Sequence, residues 1–174
     1  ISSMDILTRI GDVPFRTNVL QAAGFTFRTD PFADCPDCDE DYTVPSIEGA
    51  DLDSFTAGID SSLVYSSYPL IDLEILGLGT IGPDLSDVFV PTTNAVPIFF
   101  EPGGKVAGIR WPKTGTDSTG RVVFLAFPLD AVPLDAPAPN NRANLLRNLL
   151  TFLAPGVNGL GTVSLDNTTY TAPS

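Results

Sequence analysis

Six apolar residues in a row, Val122-Val-Phe-Leu-Ala-Phe127, constrain this chain more than any other stretch. The run shows none of the polar-apolar alternation of a strand with one wet face. It therefore suits a strand buried on both faces, in a sheet covered by helices. Pro128 and Pro133 close it, because proline cannot donate to a sheet ladder. Asn140 or Asn141 can then cap a helix running to Leu153. Its apolar positions, Leu145, Leu146, Leu149, Leu150, Phe152 and Leu153, recur at three and four residues, and Pro155-Gly156 stops it. A buried strand feeding an amphipathic helix is an α/β signature.

Around this unit the pattern gives further elements. Ser2-Ser3 with Met4, Ile6, Leu7 and Ile10 predicts a short capped helix stopped by Gly11. Pro14 opens a second, with Phe15, Val19, Leu20 and Ala23 as its inward stripe and Gly24 as its end. Strands are predicted at Phe25–Phe27, Ser62–Ser66, Asp87–Val90, Val96–Phe100 and Val106–Trp111. Pro97 places the fourth of these on an edge or bulge. Pro102-Gly-Gly104 predicts a hairpin between the last two, and Thr114 to Gly120 a polar loop. Val157 to Gly161 reads as a linker, and alternation at Thr162–Asp166 as the first strand of a following β domain. The expected division is therefore an α/β module over 1–156 and a linker with that strand over 157–174.

Charge and missing residue types narrow the function. The 174 residues carry 21 acids against 9 bases, a net charge of −12. Nucleic acid and anionic membrane surfaces are poor partners for such a chain. No run reaches the ~18 apolar residues of a membrane span. Histidine is absent, which removes Ser-His-Asp and Cys-His catalysis, the usual zinc ligand and the usual general base. Lys105 and Lys113 are the only lysines, so Schiff-base chemistry has little to work with.

The acids are concentrated. Thr29 to Gly104 holds 15 of them and not one Lys or Arg. Within it, most of Asp30 to Gly58 reads as a long loop punctuated by prolines and glycines. Asp30, Asp34, Asp37, Asp39, Glu40 and Asp41 repel one another at close range. Ca²⁺ bound through Asp30, Asp34, Asp37, Asp39 and Asp41 would relieve that, against the plainer reading of a solvated acidic loop. The spacing at 37, 39 and 41 is that of an EF-hand start, but the glycine and glutamate that complete the motif are missing. Cys35 and Cys38 lie in the same loop. A redox centre would need them at the start of a helix after a buried strand, zinc would need two more ligands, and haem attachment would need a histidine at 39. A local disulfide in an oxidising compartment, or two free thiols, remain. Asp84 and Asp87 could serve as a glycosidase pair only across a sugar cleft; Asp84 and Ser86 fit turn or cap roles better. Arg110 and Arg121, at the borders of the polar loop, are expected to pair with the excess acids.

Val122 to Asp130 followed by Asn140 to Leu153 resembles the last strand and helix of a class I glutamine amidotransferase-like module, of the degenerate kind found in large secreted or cell-surface bacterial proteins. Gly104–Arg110 resembles the strand pair before it, and Gly82–Phe89 and Gly159–Tyr170 resemble flanking segments. The resemblance covers roughly 80–156 and, more weakly, 1–28. It implies a flavodoxin-like partial sheet with packed helices, here carrying the long acidic insertion. It also implies a Cys nucleophile on a strand-to-helix turn and a His-x-Glu pair after a late strand. This chain has Phe127-Pro-Leu-Asp130 at the latter position and no cysteine on such a turn.

The expectation is a non-catalytic structural or interaction module of an extracellular or cell-surface multidomain protein, with the accessory domain of a secreted peptidase or other hydrolase as the alternative. Ile1 is no natural start, so a processed or partial product is expected. Its partners would be the missing amino-terminal half of the same precursor or neighbouring subunits in an assembly. Calcium is the one cofactor expected. The purified chain should turn over neither glutamine nor a disulfide substrate. If calcium binds the folded state alone, the melting temperature should rise with calcium concentration, as RT ln(1 + [L]/Kd) requires; identical melts in chelator and in excess calcium would contradict it.

Overall fold

A computed structural model describes residues 6–27, 44–66, 71–72, 80–81, 87–113 and 120–154. Two short helices, α1 (Ile6–Ile10) and α2 (Pro14–Asn18), precede β1 (Ala22–Phe27). Then follow β2 (Ser46–Gly49), β3 (Asp60–Ser62), β4 (Ile71–Asp72), β5 (Thr80–Ile81), β6 (Asp87–Pro91), β7 (Val96–Phe100), β8 (Val106–Trp111), β9 (Val122–Leu125) and α3 (Arg142–Leu153). Strands β4 and β5 pair with each other. The other seven make one sheet in the order β1-β6-β8-β7-β2-β3, with β9 also on β8. Every described pairing is antiparallel.

Strand β8 is the hub. One edge pairs with β7 from Val96↔Arg110 to Phe100↔Val106. The opposite edge is shared: β6 meets it at Val106, and β9 takes Gly108 to Trp111. The β7–β8 hairpin turns where the glycines predict, with Gly103 and Gly104 at φ +93° and +82°, a conformation that favours glycine. Pro97 sits beside a bulge, as expected. Its partner is Ile109, the next pair is Phe99↔Gly108, and Ile98 is the extra residue. Gly108 is closely packed, since a Cβ there would lie 3.0 Å from the Phe99 ring and 3.1 Å from Leu125, and both side chains would have to shift to admit it.

The sheet is covered on both faces. Val123, Leu125 and Phe127 point into a core with Ile47, Ile98, Phe99 and the inner stripe of α3, namely Leu145, Leu149 and Phe152. Phe124 and Ala126 point the other way, into a core with Leu7 of α1, Leu20, Phe89 and Ile109. Phe89 and Phe124 stack with ring centroids 4.4 Å apart. The apolar run is thus buried on both faces, as its lack of alternation requires. The ladder continues one residue past β9, with Ala126 N–H donating to the Ala107 carbonyl at 2.9 Å.

Two expected elements are shorter or displaced. The helix from Pro14 ends at Asn18, and Phe15 and Val19 are exposed instead of facing inward. The stop is Gln21, not Gly24. Gln21 has φ +60°, its Nε2 donates to the Asn18 carbonyl at 2.8 Å, and its Oε1 accepts from Thr92 Oγ1 at 2.7 Å. The chain can therefore reverse into β1 three residues early. The strand expected at Ser62–Ser66 lies at Asp60–Ser62. Leu63 N–H still donates to the Pro45 carbonyl beside β2, and the backbone then changes partner, Val64 N–H donating to the Ala131 carbonyl. α1 ends before Gly11 (φ +64°), as predicted.

Gly49 is the most tightly enclosed of the described glycines. A Cβ there would fall 1.8 Å from the Thr56 carbonyl oxygen. Gly49→Ala should therefore cost at least the ~1–3 kcal/mol typical of overpacking, read as a lower urea midpoint. Glu48 and Asp60 are direct cross-strand partners and both are exposed. Asp60→Lys should raise the midpoint by an amount equivalent to ~0.2–1 kcal/mol.

Candidate functional site

The densest set of charged and aromatic side chains among the described residues gathers where the carboxyl end of β8, the start of β9, the turn 50–58 and the second half of α3 meet. The turn supplies its acid. Asp53 begins an Asx-type turn in which Oδ1 accepts from Phe55 N–H at 3.0 Å and from Thr56 Oγ1 at 3.3 Å. Its Oδ2 accepts from Arg110 Nε at 2.6 Å. The Asp53 side chain is 2% exposed and that of Arg110 13%, so this is a buried ion pair.

Arg110 does more than neutralise Asp53. Its Nη1 donates to the carbonyls of Pro112 (2.8 Å) and Lys113 (3.2 Å), fixing the path of the chain as it leaves β8 across the cis Trp111–Pro112 bond. Its Cζ lies 5.1 Å from the Phe152 ring centroid and 5.8 Å from that of Phe55. The two rings meet edge to face at 5.2 Å. Arg121 approaches from the start of β9, with Cζ also 5.1 Å from the Phe152 centroid. Its Nη1 donates to the Phe152 carbonyl at 3.0 Å, a favourable place for a cation because the carboxyl end of a helix carries partial negative charge. Asn148 on α3 donates to the Phe55 carbonyl at 2.9 Å and ties the turn down from that side.

Chemically this arrangement is a staple. Both Asp53 oxygens are taken by donors of the chain itself. Three of the four converging segments are distant in sequence, and the cluster holds them in one register. The expectation that Arg110 and Arg121 pair with acids holds for Arg110 through Asp53; among the described residues, the partner of Arg121 is a helix-end carbonyl. Sequence reasoning missed Asp53. The available signal was local: Asp-x-Phe, with the acid two residues before an N–H that it can accept.

Beside the buried stripe, about 100° round the helix, α3 carries a second apolar row. Leu146 is half-buried, and Leu150 and Leu153 are 43% and 41% exposed. They fall at i, i+4 and i+7 on one helix face. The exposed Arg147 lies further round the helix, on the side away from the buried stripe. No acid occurs from Ala136 to Leu165, in a chain of net charge −12. The amino end of α3 is firmly held: Asn141 Oδ1 accepts from Asn144 N–H at 2.8 Å as the N-cap. Asn140 instead reaches β3, its Oδ1 accepting from Asp60 N–H at 2.9 Å. The Arg142 guanidinium donates to the carbonyls of Val132 and Asp130.

Asp30, Asp34, Asp37, Asp39, Glu40, Asp41, Cys35 and Cys38 lie outside the described residues, as do Asp84, Ser86 and the segment 157–174. Asp87 opens β6 opposite Phe27. Among the described residues no three His, Cys, Asp or Glu side chains come together as a metal-ligating group. No described helix is long and apolar enough to cross a membrane. No protein-family model matches the chain, and neither does any curated protein or solved structure.

Removing one partner of a buried ion pair strands the other, at ~3–5 kcal/mol. Asp53→Ala and Arg110→Ala should each destabilise on that scale. Both changes together should cost less than the sum of the two, because they contact each other. Urea unfolding of the three variants reads the coupling.

Proposed function

We propose that this chain is a non-catalytic structural or interaction module of an extracellular or cell-surface multidomain protein, and that the outer row of α3 is its contact face. The observation that carries the reading is Leu150 and Leu153 standing exposed beside Leu146 on a helix without acids, on an otherwise strongly acidic chain. Apolar rows of this kind on a rigidly seated helix suit docking into a partner's groove, and the low local charge spares a partner the repulsion it would meet elsewhere. The missing histidines and the scarcity of lysine support a role without chemistry of its own.

The finer fold reading is a degenerate amidotransferase-like, flavodoxin-like module. In its favour are β9 feeding α3 and the β7–β8 hairpin before them. Antiparallel pairing throughout the described sheet differs from the parallel core of a flavodoxin-like fold. Under this reading the parallel neighbours come from the amino-terminal half of the same precursor, which is then the partner, with neighbouring subunits in an assembly as the other source. Calcium at Asp30, Asp34, Asp37, Asp39 and Asp41 remains part of the proposal, as the ion that would gather the acidic loop.

Sedimentation of the chain, alone and mixed with the remainder of its precursor, tests the contact face. The wild type should associate, and Leu150→Asp with Leu153→Asp should weaken association by at least about tenfold, equivalent to ~1.4 kcal/mol. These positions lie outside the core, so the variant should keep its cooperative melt. A wild type that stays monomeric in both settings, or a variant that associates equally well, overturns the reading.

A further inference from the structure

We draw no further inference here: the strongest candidate, the apolar row Leu146, Leu150 and Leu153 on the outer face of α3, already carries the interaction proposal, and nothing in the structure shows what covers it.

Discussion

The pairing of β9 with β8 is the interaction on which the rest of the fold depends. Four residue pairs, Gly108↔Leu125 to Trp111↔Val122, join them. Successive β9 side chains then enter opposite cores: Val123 and Leu125 with α3, Phe124 with α1. Along the edge it shares with β8, the backbone groups of this buried strand are satisfied by that ladder. Once β9 is seated, α3 has a surface for Leu145, Leu149 and Phe152, and Phe89 has a ring to stack on. Burying a Leu or Phe fully contributes ~1.5–3 kcal/mol. Five consecutive residues, Val123 to Phe127, are buried here, so the strand concentrates much of the chain's apolar stabilisation.

The buried ion pair adds placement to that stabilisation. Apolar burial alone is indifferent to which of several similar arrangements is adopted. Asp53 and Arg110 are not: the carboxylate accepts only where the turn 50–58, the end of β8 and the Phe55–Phe152 pair come together. Arg121 and Asn148 then tie the same turn-and-sheet junction to the end of α3. The consequence for function is indirect. A helix fixed at its amino end by Asn141 and Arg142, and at its carboxyl end by this cluster, presents its outer leucines in one orientation, which lowers the ordering cost of any contact made through them.

What could be read from the sequence follows the range of the interactions. The β9–α3 unit was legible because an unbroken apolar run and a 3.6-residue period are local patterns. The Asn141 cap, the Gly103-Gly104 hairpin and the bulge beside Pro97 were legible for the same reason. The early end of α2 was not, since it depends on Gln21 adopting a left-handed conformation and being held there by Thr92, 71 residues away. The shift of β3 was hidden likewise, because the rival partner of residue 64 is Ala131. Of the candidate site, the availability of Arg110 for an acid was legible, but the acid's identity was not: Asp53 is one of 15 between Thr29 and Gly104, and only the fold selects it. In the sequence, Leu146, Leu150 and Leu153 form one apolar face with the buried stripe, since periodicity counts apolar positions without saying how many the sheet can cover.

Native-state hydrogen exchange tests the central place of the β8–β9 pair most directly. Ala107 and Ala126 form a hydrogen-bonded pair, and the alternation of an antiparallel ladder makes Ile109 and Phe124 the next one. The Ile109, Phe124 and Ala126 amides should exchange only through global unfolding, with opening free energies equal to that from urea denaturation. Amides of β3 and α2 should open at lower free energy. If Phe124 and Ala126 exchange as readily as β3 while another strand carries the slowest amides, β9 is not the element on which the fold is built.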